Sequence, residues 1–240
     1  MSLHGYRKAA LCDKIRKYYG PCPLRGEKMD NKDIKRSCID CAVKSCDAKG
    51  GGMYPDFCET ANMDPGFLAE TMKLYTESEE NTKIMMAASE VEFENYCKMI
   101  RVEEICEFAA KIGAKKLGIA TCVGLLWEAR MAARIFRSHG FEVVGAACKI
   151  GAQPKVSVGI SKEHESVGVN MCNPIMQAEV LNKEKTDLNV VVGLCVGHDS
   201  LFYKHSDALC TTLVTKDRVL AHNPAAALYQ ADKYYSRLVK

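Results

Sequence analysis

Four cysteines fall within the twenty-one residues of CIDCAVKSCDAKGGGMYPDFC, at Cys38, Cys41, Cys46 and Cys58. Their spacing, C-x2-C-x4-C-x11-C, suits a four-thiolate metal cage. A C-x2-C turn lets two sulfurs point at one centre, and Gly50, Gly51 and Gly52 give the chain room to return. Four thiolates fit tetrahedral zinc at about 2.3 Å per bond, and they also fit a [4Fe–4S] cluster. Zinc is the expected cofactor and the cluster the alternative, because neither common ferredoxin spacing is present. Four thiolates around zinc leave a net charge of about −2, which Lys35, Arg36, Lys44 and Lys49 are near enough in sequence to offset. Cys22, in GPCP, is a substitute ligand. A closed cage of this kind holds structure or passes electrons, so it leaves no open position for chemistry on a substrate.

A second set of thiols is spread along the chain. Cys122, Cys148 and Cys195 each stand where a predicted strand ends, and Cys172 immediately precedes Asn173-Pro174, a predicted helix start. A helix N-terminus lowers the pKa of a nearby thiol. His198 and Asp199 follow Cys195 in GLCVGHD. Read as a catalytic group, Cys172 or Cys195 is a thiolate nucleophile or redox centre, with His198 as base and Asp199 beside it. Cys122, Cys148 and Lys149 then line the ligand or cofactor pocket. The same thiols could instead form a second metal site. Taken singly, each strand cysteine reads as core filling, and Asp199 reads as a helix N-cap.

The elements that must position these groups are legible from residue 63 onward. DPGFLAE starts a helix, with Asp64 as N-cap and Pro65 at the first helical position. Apolar residues at three- and four-residue steps carry the helical pattern to Ile112, and Gly113 closes it; Cys97 and Cys106 fall within it and read as buried. Beyond Gly113, predicted strands and helices alternate. KKLGIATCVG, FEVVGAACKIG, TDLNVVVGLCVG and ALCTTLVT are strands, while LLWEARMAARIFRSHG, NPIMQAEVLNKEK and HDSLFYKHSD are helices, and a last helix opens at Asn223-Pro224. The order predicts an α/β fold, a Rossmann-like parallel sheet with flanking helices. The strands are continuous apolar runs, as strands buried on both faces are. In such sheets ligands bind beyond the carboxyl ends of the strands, where the second set of thiols lies. The segment from Gly151 to Met171 is long for a connection in this class and is a candidate lid or binding loop.

Three segments are expected: a cysteine-rich metal module over 1–62, a helical connector over 63–112, and the α/β domain over 113–240. The chain has 240 residues, of which 48% are hydrophobic and 26% charged, so it can bury a core without covalent staples. Its formal net charge of +3 is too small to mark a nucleic-acid surface. The basic bias of the first 36 residues, ten Lys/Arg against four Asp/Glu, lacks the aromatic interleaving of such a surface. No apolar run serves as an export signal or a membrane span. The expectation is therefore a cytoplasmic protein that contacts neither nucleic acid nor membrane. Thirteen cysteines in a reducing compartment point to metal binding or thiol chemistry rather than disulfides. A nucleotide cofactor has no motif here: TCVGLLWEA carries one glycine where a dinucleotide fingerprint needs three, and there is no phosphate loop.

CIDCAVKSC, YPDFCET, CNPIMQAEVLN, TDLNVVVGLCVGHDSLF and KDRVLAHNP together resemble an uncharacterised prokaryotic family of cysteine-rich predicted metal-binding proteins. The resemblance runs from Cys38 to Tyr229, with GLCVGHDSLF and HNP as its most specific parts. It implies metal binding through Cys38, Cys41, Cys46 and Cys58, and it brings no substrate or reaction. Two classes of function stay open. One is thiol- or metal-dependent chemistry on a small molecule at the sheet edge. The other is a non-catalytic metal sensor, carrier or adaptor with a structural zinc site.

Overall fold

The computed structural model describes residues 35–239. The substitute ligand Cys22 lies outside them. The described residues group into two compact units, one formed by 35–72 with 227–239 and the other by Lys73–Ala226.

In the first unit, single 3-10 turns at Cys38–Asp40 and Ser45–Asp47 carry Cys38 and Cys46, and Cys41 directly follows the first. Asp40 accepts the Ser37 backbone N–H at 2.8 Å, which fixes the first turn. Ser45 donates to the Met53 carbonyl at 2.6 Å and so ties the second turn to the far side of the glycine run. The Arg36 guanidinium stacks on Phe57, 4.5 Å from the ring centroid.

The predicted helical stretch from 65 to 112 is three helices: α1 (Pro65–Thr76), α2 (Glu79–Asn95) and α3 (Arg101–Lys111). Asp64 accepts the Phe67 N–H at 2.7 Å, as an N-cap should. The first break comes at Ser78, which caps α2 by accepting from Asn81 N at 3.2 Å. The second comes at Cys97, whose φ of 57° no helix accommodates. That turn puts Cys97 on the surface rather than in the core, whereas Cys106, in α3, is buried as expected. Lys111 joins α3 to α2 through Glu90 at 3.0 Å and Glu94 at 2.9 Å.

Four strands follow: β1 (Lys116–Thr121), β2 (Glu142–Ala147), β3 (Leu188–Val192) and β4 (Leu209–Val214). All pair in parallel, in the order β2-β1-β3-β4. Between them run α4 (Leu126–Ser138), α5 (Pro174–Lys183) and α6 (His198–His205), with a short α7 (Ala225–Leu228) after β4. The chain leaves β1 toward β2 and returns past it to β3, so the strand order reverses at the β1/β3 boundary. A crevice opens at such a reversal, beyond the carboxyl ends.

The sheet is the core. Leu117, Ala120, Leu188, Val190 and Val192 are buried there together with Phe136 and Phe202 from the helices. Gly118 is required by close approach: a Cβ on it would stand 1.9 Å from Asn189 Oδ1. That space lets the buried Asn189 accept from Thr186 Oγ1 at 2.8 Å and donate to Ser206 Oγ at 2.8 Å. The polar pair is thus satisfied inside an apolar layer, as burial demands.

The long connection between β2 and α5 folds on itself. Its two ends form a bridge at Pro154 and Asn170, and Met171 N–H donates to Gln153 O at 2.8 Å. Within it, the buried Lys155 ammonium bonds the His164 carbonyl. No helix among the described residues is long and apolar enough to cross a membrane.

Candidate functional site

Register decides what meets at the sheet edge. Thr121 pairs with Ala147 on one side and with Val192 on the other, so β1, β2 and β3 end level. Cys122 and Cys148, the next residues of β1 and β2, are therefore neighbours. Cys148 N–H donates to Thr121 O at 2.8 Å, and Cys148 O accepts from Asn173 N at 2.8 Å. This second bond draws Cys172 beside Cys148. Asn173 in turn caps α5, accepting from Met176 N at 3.1 Å with Pro174 next in line. A strand end, its neighbour and a helix start thus set three thiols in a row.

Gln177 holds that row from beneath. Fully buried on α5, it donates to Ala146 O at 2.7 Å, two residues before Cys148, and to Thr121 O at 3.1 Å, immediately before Cys122. Its Oε1 has no partner among the described residues.

The three thiols differ in environment and so in charge. The Cys148 thiol lies between the other two, 2% exposed, and its Sγ accepts from Val123 N–H at 3.4 Å. Cys122 first and then Cys172, with burial, hold its proton on firmly and push its pKa well up. Cys172 is lowered to about 3, first by the Cys148 thiol, then by His198, with a further contribution from the Lys149 ammonium against burial. Lys149 Nζ stands 3.3 Å from Cys172 Sγ and 2.6 Å from Asn170 O. Cys122 is lowered to about 5, again chiefly by the Cys148 thiol, with help from the Gly124 N–H and from Lys216, whose Nζ is 3.6 Å away. His198 is raised, mainly by the Cys172 thiolate, which favours the imidazolium. Cys148 thus favours the thiol form and Cys122 and Cys172 the thiolate form, with a cation beside each outer sulfur.

The remaining expected site residues take other places. Cys195 pairs with Arg218, Nη2 to Sγ 2.8 Å, rather than joining the row. Asp199 accepts from Gly197 N at 3.0 Å and Ser200 N at 2.8 Å, so it shapes the start of α6 and thereby the placement of His198. Among the first cluster, Cys38 and Cys46 are exposed, Cys41 is half-buried and Cys58 buried. Their donor chemistry suits zinc or an iron–sulfur cluster. As arranged, however, no group of three or more His, Cys, Asp or Glu side chains among the described residues could hold a metal ion.

Three contributors escape sequence reasoning. Gln177 and the backbone N–H groups of Val123 and Gly124 carry no sequence signal. Val123 N–H donates to Cys148 Sγ at 3.4 Å. From sequence, Lys216–Arg218 could reach the sheet edge or simply form a tight turn; Asp217 closes that turn by accepting from Val219 N at 2.9 Å and Leu220 N at 2.8 Å, and Lys216 and Arg218 reach Cys122 and Cys195. A cavity of about 630 Å³ in the same unit, bordered by Val91, Tyr96, Ile105 and Phe108, has Cys97 as its one thiol. Chemistry, not volume, singles out the strand ends.

The chain is similar to an archaeal protein, "Uncharacterized protein MJ0455" of Methanocaldococcus jannaschii. The two are 47% identical over 167 residues, which cover 69% of this chain and 85% of that one. A family model described as "Protein of unknown function (DUF1847)" matches residues 58–213. Within the match lie Cys58, the three-thiol row, Cys195, His198 and Asp199, whereas Cys38, Cys41, Cys46, Lys216 and Arg218 fall outside it. A match over well more than half of the chain, together with that relative, places the protein in the DUF1847 family.

Proposed function

We propose that the protein performs thiolate chemistry on a small electrophile at the carboxyl edge of its sheet, with Cys172 as nucleophile. One observation carries this reading. Cys172 sits at the mouth of α5, half-buried, with Lys149 Nζ 3.3 Å from its sulfur and with Cys148 and His198 as further partners. A thiolate is the reactive form of cysteine, and cationic neighbours at a helix start keep it ionised. In the step proposed, Cys172 Sγ bonds to the electrophilic atom. The leaving group departs with the bonding pair and takes the proton held by His198. Lys149 adds to the groups that keep the sulfur ionised, and Asp199 holds the helix start that carries His198.

The metal belongs to the other end of the chain. Cys38, Cys41, Cys46 and Cys58 would hold zinc, or alternatively a [4Fe–4S] cluster, as a structural or electron-passing centre. No step of the thiol chemistry runs through it. A reducing cytoplasm, which keeps the row unoxidised, is the compartment that fits both sites.

The test is the pH dependence of Cys172 alkylation by iodoacetamide, followed by peptide mass spectrometry. The expected rate is nearly flat from about pH 8 to about pH 6, where a free thiol with a pKa of about 8.5 slows almost a hundredfold. A Cys172 rate that falls in parallel with the free thiol refutes the reading. A flat profile combined with no thermal shift from any small molecule, and with a stoichiometric co-purifying protein, would move the assignment to a carrier or adaptor.

A further inference from the structure

The row holds more than one nucleophile needs. Cys148 is 2% exposed, so no substrate reaches it directly. It can react only with something already attached to a neighbour. Its backbone is stitched to both sides, through Thr121 O at 2.8 Å toward Cys122 and through Asn173 N at 2.8 Å toward Cys172. Register puts Cys148 across from Cys122, and its Sγ accepts from the N–H of Val123, the next residue, at 3.4 Å. On the far side Cys122 stands in a buried position, with Lys216 Nζ 3.6 Å away.

We infer that Cys148 is the resolving thiol of this site, that Cys122 is the base that frees it, and that the substrate is a small-molecule disulfide. The inference rests on Cys172 as the nucleophile proposed above. Sulfur chemistry selects the substrate class. A thiol does not displace a thioether formed on Cys172, but it does displace the outer half of a mixed disulfide. A disulfide substrate delivers sulfur already at the oxidation level of the protein disulfide that a resolving thiol closes, so the exchange runs with no further oxidant.

The steps balance. The Cys172 thiolate attacks one sulfur of RSSR, forming Cys172–S–SR and releasing RS⁻, which takes the proton of His198. With Cys172 in the disulfide, one of the two thiolates that held the Cys148 proton in place is gone; Cys148 then passes that proton to the Cys122 thiolate, and the new thiolate attacks Cys172 Sγ. A Cys148–Cys172 disulfide forms and the second RS⁻ leaves, protonated by solvent. The Val123 N–H, 3.4 Å from Cys148 Sγ, supports the charge while it resides there. The site has then lost two electrons to the substrate, and a small dithiol restores them. The net reaction converts RSSR and a dithiol into two RSH and a cyclic disulfide.

The probe is glutathione disulfide at neutral pH, added to the prereduced full chain and to its Cys148→Ser, Cys148→Ala and Cys122→Ser variants. Circular dichroism checks each fold, and a non-reducing peptide map reads the products. The wild type is expected to give a Cys148–Cys172 disulfide with no glutathione left on Cys172, and dithiothreitol should reverse it. Both Cys148 variants should stop at a stable glutathione adduct on Cys172. Cys122→Ser should reach the same disulfide at least about tenfold more slowly, the usual worth of a positioned base being larger still. A glutathione adduct that persists on Cys172 of the wild type overturns the resolving role and leaves the nucleophile standing. A Cys122–Cys148 disulfide overturns it as well. Cys172 unmodified in every protein means that the nucleophile assignment itself has failed.

Discussion

Replacing Lys149 with methionine isolates one contribution to the charge on Cys172. The ammonium stands 3.3 Å from the sulfur. At an effective dielectric of about 20, two unit charges at that separation attract by roughly 5 kcal/mol, and in bulk water by roughly 1.3. Cys172 and Lys149 are both half-buried, so solvent screening brings the figure to roughly 1.5–3 kcal/mol. Divided by about 1.36 kcal/mol per unit, this predicts a rise of about one to two pKa units in Lys149→Met. The sign follows from the chemistry: removing a cation disfavours the thiolate, so the pKa climbs from about 3 toward the ordinary thiol range. Cys148 and His198 act ahead of Lys149 on this sulfur and remain in place, so the shift is partial. The assay is the pH profile of Cys172 alkylation, whose break should move up by that interval. Lys149→Arg keeps the charge and should restore most of it, separating charge from the loop contact to Asn170. Lys216→Met should move Cys122 and leave Cys172 unchanged. If Lys149→Met leaves the profile where it was, or if Lys216→Met shifts it equally, the local electrostatic argument is wrong.

Three further outcomes are expected. Gln177→Leu should lower stability by about 1–3 kcal/mol, read from urea unfolding midpoints, because two hydrogen bonds to buried carbonyls are lost; an unchanged midpoint contradicts the bracing role. Gly118→Ala should cost at least about 1–3 kcal/mol, since its methyl group would invade Asn189 and Leu181 and the sheet has no slack to receive it. Cys41→Ser should release metal from protein purified without oxygen, and an absorption spectrum of the parent should separate colourless zinc from a brown cluster. Full metal content in that variant would remove Cys41 from the ligand set.

The strands were readable because parallel strands buried on both faces leave unbroken apolar runs such as LGIAT and NVVV, and the caps because Asp64-Pro65 and Asn173-Pro174 act on their own backbone. From these alone the sheet edge could be named as the place where Cys122, Cys148 and Cys172 gather. The pairing within the row could not, because it depends on register and on one backbone bond from Asn173 to Cys148. Cys195 illustrates the limit. It stands three residues beyond the end of β3, where Cys122 and Cys148 directly follow their strands, and its partner is Arg218, brought by a turn whose shape only tertiary structure reveals. Gln177 was hidden for the same reason, and Lys216 could be brought to the edge but not to its partner: a single amide or ammonium acts through where it ends up, not through spacing. Cys97 went astray because an apolar periodicity continues across a turn that a left-handed residue creates.

The bridge between Pro154 and Asn170 separates the length of the excursion after β2 from the positions of the thiols. Closing a flexible loop depends only weakly on its length, and here the neck of the excursion is already tied by backbone bonds. Residues beyond the neck, including the exposed Gly159 with nothing within 4 Å of its would-be side chain, therefore form a region where chain can be added or removed without stretching the link from Lys149 to Cys172. The surface around the entrance can be rebuilt while the sulfurs stay still, so one reactive centre can be fitted to different molecules by changing only the rim.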